Sequence, residues 1–176
     1  KCDTCAENRI VPFSCKRRGF CPSCCGRRMN EESAFLVDNV FPRVPIRQWV
    51  LSFPMPVRFW MARNPKLITQ ALEIFHRVIK SHYKTQYKNS VKKIEPGVEI
   101  LTGAVTVVQR FGGALNLNVH FHALVLDGVF VVNESDGKKV ATFIAATKPR
   151  REEFLDVIQK IQIRMLRALQ RRGLVQ

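Results

Sequence analysis

All six cysteines of this 176-residue chain lie within its first 25 residues. A disulfide framework would spread its cysteines through the fold it staples, whereas clustering at one end points to metal. Cys2 and Cys5 form one CxxC pair and Cys21 and Cys24 another, with fifteen residues between the pairs. That spacing fits a four-thiolate zinc site, each pair turning on itself so that two sulfurs converge on one tetrahedral ion. The alternative is a disulfide-linked hairpin, disfavoured for a chain without secretory features. Cys15 and Cys25 are left over: Cys25 offers an alternative register to Cys24, and Cys15 is either a buried thiol or a ligand of a second ion. So short a segment cannot build its own core, and zinc supplies about 10–16 kcal/mol of apparent binding energy in such modules. Lys16, Arg17, Arg18, Arg27 and Arg28 crown this loop. They are candidate DNA-phosphate contacts, against the plainer reading of a solvated charge run.

The charge balance agrees. The net charge is +15 and the isoelectric point about 10.1, the footprint of a phosphate-binding protein. With 46% hydrophobic and 24% charged residues, the chain is neither disordered nor of low complexity. No apolar run approaches the roughly 20 residues of a membrane helix, and no signal peptide is evident, so a spanning or secreted protein is not expected. The first residues are Lys1 and Cys2 rather than Met, which leads to the expectation of a piece of something longer.

Beyond a short helical stretch near Glu31, prolines 42, 45, 54 and 56 punctuate a connector and a brief strand, Gln48–Phe53. A helix is expected from Pro65 to about Lys88, with Ile68, Leu72, Phe75 and Ile79 recurring at helical spacing and Ala71, Ile74 and Val78 widening the stripe. Lys66, Arg77, Lys80, Lys84 and Lys88 fall mostly elsewhere on it. Strands follow at Leu101–Arg110 and Leu115–Leu126, separated by a Gly112-Gly113 turn. Asp127-Gly128 signals a hairpin into Val129–Val132, and 133–139 reads as a polar loop. A final amphipathic helix spans about Arg150–Arg171, its apolar side carrying Phe154, Ile158, Ile161, Met165 and Leu169. The order suggests an α+β fold: a ferredoxin-like split βαβ antiparallel sheet with two helices, preceded by a small zinc-ribbon-like module. The expected domains are 1–33 and 34–176.

Alternation along 115–126 sends Asn116, Asn118, His120, His122 and Leu124 to one face and Leu117, Val119, Phe121, Ala123 and Val125 to the other. Two imidazoles two positions apart, about 7 Å at their α-carbons, can converge on one ion above a sheet. The plainer reading is a pair of surface or hydrogen-bonded core histidines.

Ser14–Cys24, Val44–Pro54 and Leu115–His122 followed by Leu126-Asp127-Gly128, in that order, resemble rolling-circle transposases of the insertion-sequence-91 family. The resemblance runs through most of the chain. It implies a zinc-binding, DNA-recognising module joined to a His-hydrophobic-His nuclease domain, working in the bacterial cytoplasm on DNA that is single-stranded at the His-bearing face. It also implies that His120 and His122 hold Mg²⁺ or Mn²⁺ with a third ligand, and that a tyrosine attacks a DNA phosphodiester. In the family the tyrosines follow the His pair on a later helix. Here the only tyrosines are Tyr83 and Tyr87, upstream and among lysines, so the expectation is a fragment whose catalytic tyrosines lie beyond residue 176 and which is inactive alone. The alternative is a non-catalytic zinc-ribbon nucleic-acid-binding protein with a vestigial His pair.

Overall fold

The computed structural model describes residues 22–135 and 137–175. The chain divides into two compact units, Lys1–Arg43 and Val44–Gln176. In the first, helix α1 covers Pro22–Phe35 and widens into a π turn, Leu36–Val40, closed by the Phe41 N–H donating to the Leu36 carbonyl at 2.8 Å. Pro22 suits the first helical position, where no N–H is needed. The zinc-ribbon-like arrangement expected of Cys2, Cys5 and Cys21, and the basic run Lys16-Arg17-Arg18, lie outside the described residues.

The second unit runs β1 (Ile46–Ser52), α2 (Met55–Arg63), α3 (Pro65–Ser90), β2 (Glu99–Leu101), β3 (Ala104–Phe111), β4 (Leu117–Leu126), β5 (Gly128–Ser135), β6 (Lys138–Ala145) and α4 (Arg151–Gln170). It is α+β, with every strand pair antiparallel. The strands form two three-stranded sheets, ordered β1-β4-β3 and β2-β5-β6, rather than the expected split βαβ order. The sheets share two continuous chain segments. One passes from β2 to β3 through Thr102-Gly103, the other from β4 to β5 through Asp127. At the crossing the Leu126 N–H donates to the Gly103 carbonyl at 3.0 Å, and the Thr102 hydroxyl donates to the Gly128 carbonyl at 3.1 Å.

The hairpin expected at Asp127-Gly128 is therefore not formed: β4 and β5 do not pair with each other. The reason is that Asp127's turn-forming groups are taken by distant partners. Its N–H donates to the Pro45 carbonyl and its carbonyl accepts from Ala146 N–H, both at 2.8 Å, so the chain is held straight through the junction. Gly128 is needed by close approach, since a Cβ there would overlap the Ile144 carbonyl and the Phe143 ring. Two further elements depart from expectation. The segment with Pro54 and Pro56 is not only a connector, because Pro56 sits in the first turn of α2, where its missing N–H costs no helical bond. The loop expected over 133–139 instead carries the ends of β5 and β6, and Val140–Ala145 completes the β6 edge.

The core lies between the oily face of the first sheet and the helices. Val119, Phe121 and Ala123 are fully buried, and Phe121 meets Phe53 edge-on with ring centroids 5.2 Å apart and Phe75 at 6.2 Å. On α3 the buried stripe includes Ile68, Ala71, Ile74, Phe75, Val78, Ile79 and Tyr83. Its N-terminus is capped by the Asn64 side chain, which accepts the Lys66 N–H at 3.1 Å. The buried stripe of α4 is Val157, Ile161, Met165, Ala168 and Leu169. It is rotated from the expected one, with Ile158 left 47% exposed. None of the described helices is long and apolar enough to cross a membrane.

Candidate metal site on the open sheet face

The alternation expected for β4 is observed: Val119, Phe121, Ala123 and Val125 are buried and His120 and His122 are half-buried. Antiparallel register sets the neighbours on the histidine face. Ser52 of β1 and Gln109 of β3 stand opposite His120, and Val50 and Val107 stand opposite His122. Val50 is 57% exposed and Val107 55%, so no element of the described unit covers this face. The two imidazoles meet edge to face with centroids 4.9 Å apart.

Each Nδ1 already has a partner. His120 Nδ1–H donates to the backbone carbonyl of Asn118 at 2.6 Å, which leaves Nε2 unprotonated with its lone pair free. His122 Nδ1 accepts from the Gln48 amide nitrogen at 3.0 Å, which puts the His122 proton on Nε2. A half-turn of that amide would bring its oxygen to Nδ1 and free His122 Nε2 as well. Asn118 Oδ1, from the same alternating set, is buried with no hydrogen-bond partner among the described residues. An orphaned buried acceptor beside two imidazoles suits a cation or its water shell. With that amide turned, the donor set here is two imidazole nitrogens and the neutral oxygens of Ser52, Gln109 and Asn118. Among the described residues no group of three His, Cys, Asp or Glu gathers.

The other expected site residues divide. Cys2, Cys5, Cys21, Lys16, Arg17 and Arg18 lie outside the described residues. Cys24 falls in the first turns of α1. Arg27 and Arg28 are exposed on α1, where Arg28 makes a surface ion pair with Glu32 at 3.9 Å. Such a solvated pair contributes little and leaves the arginine available.

Sequence reasoning did not anticipate a second network, on the other side of the first sheet. Arg47 grips Asp127 with two bonds of 2.8 and 2.7 Å. Tyr83 donates to the same carboxylate at 3.1 Å and accepts from the Trp49 indole N–H at 3.2 Å. Burial, then the charge of Asp127 and the bond to it, push the Tyr83 phenol up to about 12, against the opposing effect of the Trp49 hydrogen bond. The Asp127 hydrogen bond raises Arg47 above its ordinary value, against some desolvation. Tyr83 is 2% exposed and its hydroxyl is occupied in both directions, so it is a structural tyrosine. Only the polar character of Arg47 and Gln48 within an apolar strand hinted at these roles; their partners come from β1–β4 pairing and helix packing over large sequence separations.

Two family models match the chain. The one described as "Transposase zinc-binding domain" matches residues 1–53, and the one described as "Putative transposase" matches residues 103–176. The first supports zinc as a cofactor, and both imply interaction with DNA. No curated protein and no solved structure matches. The zinc-binding match covers both CxxC pairs and β1, and the transposase match covers the histidine strand, so the chain belongs to the transposases of the insertion-sequence-91 family.

Proposed function

We propose that this chain is the metal-bearing and DNA-holding part of a rolling-circle transposase, with His120 and His122 as ligands of a divalent ion on a face that receives single-stranded DNA. The observation that carries this is the placement of two adjacent imidazoles, 4.9 Å between centroids, on the open face of a strand whose other face is the core. A polar pair held this rigidly by Phe121 behind it is pre-organised at little entropic cost. Imidazole nitrogens with neutral oxygens suit Mn²⁺ better than Mg²⁺. When bound, the ion supplies Lewis-acid polarisation of the scissile phosphate and offsets charge developing on the leaving 3′ oxygen.

The chain's own residues prepare that site. The Asn118 carbonyl holds His120 in the tautomer whose Nε2 lone pair is free. Gln48 does the same for His122 once its amide oxygen accepts the Nδ1 proton. In the reaction, a tyrosine oxygen attacks the phosphorus and forms a 5′-phosphotyrosyl bond, and the 3′ oxygen departs and takes up a proton. Tyr83 is not that nucleophile, because it is buried and hydrogen-bonded on the far side of the sheet. Cys2, Cys5, Cys21 and Cys24 hold zinc as a structural ion, and Lys16, Arg17, Arg18, Arg27 and Arg28 contact phosphates. The working compartment is the cytoplasm, where bacterial DNA lies.

The test is fluorescence anisotropy with a single-stranded and a duplex oligonucleotide at matched salt in the presence of Mn²⁺. The single strand is expected to bind more tightly, and the difference to shrink in His120→Ala/His122→Ala. Equal affinity for both forms, unaffected by the double substitution, contradicts the reading and leaves a generic DNA binder.

A further inference from the structure

Between Glu73 and Glu95 the chain carries Arg77, Lys80, Lys84, Lys88, Lys92 and Lys93 and not one Asp or Glu. The first four lie on α3. At about 100° per residue they share an arc of about 80°, and from Arg77 to Lys88 they extend about 16 Å along the axis. The arc is centred about 160° from the middle of the helix's buried stripe. It therefore forms the outer surface of the unit, with the core and the first sheet between it and the histidine face. Arg77, Lys80 and Lys88 are exposed and Lys84 half-buried.

Among the described residues, none of the four takes part in an ion pair. The contrast with α4 is direct: there Lys160 is paired with Asp156 at 2.6 Å, and Glu152 and Glu153 stand in the first turn. On α3 burial, and then the charges of Lys80 and Lys88, hold the Lys84 ammonium below the usual lysine range; Glu99 is the one acid acting against this. Four like charges on one ridge of a chain already at +15 repel one another, and nothing in the fold requires them there. Exposed Glu73, four residues before Arg77, is the one acid on this arc; beyond it no acidic residue follows at i,i+4 spacing to offset the repulsion.

We propose that Arg77, Lys80, Lys84 and Lys88 form a second DNA-binding surface, which grips the phosphate backbone of duplex DNA flanking the strand held at the histidine face. The length of the ridge corresponds to about five phosphate rises along one strand of a duplex. Lysine suits this role, because it binds phosphate as a point charge and does not read bases. The surface rests on the DNA-binding reading above but is independent of the metal. It lets one molecule hold the duplex on one side and the reacting strand on the other.

The experiment measures duplex affinity of the full chain across a salt series. It compares wild type with Arg77→Gln/Lys80→Gln/Lys84→Gln/Lys88→Gln, and with a control of equal charge loss, Lys138→Gln/Lys139→Gln/Arg151→Gln/Arg167→Gln. The ridge variant is expected to reduce the slope of log affinity against log salt by about 3.6 and to bind at least about tenfold more weakly. Circular dichroism should match wild type, since all four side chains lie off the core, and the control should retain most of the affinity. A ridge variant within twofold of wild type, or an equal loss in the control, overturns the proposal while leaving the histidine site standing. Loss confined to single-stranded DNA overturns the duplex assignment. A wild-type protein that binds neither form overturns both readings.

Discussion

Gln48 and His122 meet across the β1–β4 pair, amide nitrogen to Nδ1 at 3.0 Å, one residue before the Trp49 that anchors β1 in the core. With the amide turned so that its oxygen accepts from Nδ1–H, Gln48 holds His122 in the tautomer whose Nε2 can act as a ligand. Gln48→Ala is expected to weaken Mn²⁺ binding by about tenfold, the lower end of what loss of an outer-shell partner costs. Gln48→Glu, whose carboxylate can only accept from Nδ1–H, is expected to bind as tightly as wild type or more tightly. Nitrogen NMR of the imidazoles checks the cause directly: the glutamate variant should show His122 as the Nδ1–H tautomer. Unchanged Mn²⁺ affinity in both variants contradicts the positioning role.

Asp127 is the pin of the fold. It accepts from Arg47 and Tyr83 through its side chain while its backbone ties Pro45 and Ala146 together. Its side chain is 15% exposed and that of Arg47 31%. Asp127→Ala strands a partly buried guanidinium and a buried phenol, and is expected to cost about 2–4 kcal/mol. Urea denaturation measures this; a midpoint within error of wild type contradicts the assignment.

Tyr83 makes the protein sensitive to alkali. Its phenol titrates near 10 in the unfolded chain and at about 12 in the native one, mainly because burial penalises the phenolate. Between those values the folded state holds a proton that the unfolded state has released. The stabilisation, on the order of 2 kcal/mol, is therefore complete below pH 10 and lost as pH rises through 12. Ultraviolet titration should show a phenolate appearing near pH 12 in wild type and missing in Tyr83→Phe. A tyrosine titration complete by pH 10.5, about half a unit above the ordinary value, contradicts this.

How much of this was readable beforehand follows from the range of the interactions. The helix at 65–90 was legible because its apolar spacing and Pro65 are local signals, and the two faces of β4 were legible because alternation is a property of one strand. The Asp127-Gly128 dipeptide misled for the same reason. Its hairpin tendency is local, and it was overridden by Arg47, Tyr83 and Pro45, which are 44 residues or more away for Tyr83 and Arg47. Gln48 was invisible as a histidine partner until β1 and β4 were paired. On α4, Phe154 keeps a contact with Trp49, ring centroids 5.2 Å apart, yet stays 38% exposed, while Val157 takes the buried place instead of Ile158.

Zinc gives a separate prediction, since the first 53 residues match a zinc-binding domain. The full chain is expected to retain one equivalent of zinc through gel filtration and to lose it in Cys21→Ser/Cys24→Ser. Chelation should unfold the cysteine-bearing segment, which has the ion in place of a core. Elemental analysis below one equivalent, with no spectral change on chelation, contradicts the four-cysteine assignment.

Calorimetric titration of the zinc-loaded chain with Mn²⁺ decides whether the histidine face of β4 is a divalent-metal site. One Mn²⁺ is predicted to bind wild type, with affinity reduced at least about tenfold in His120→Ala and in His122→Ala, while the zinc content stays the same. Mn²⁺ binding that is absent in wild type, or that survives both substitutions unchanged, would contradict the account.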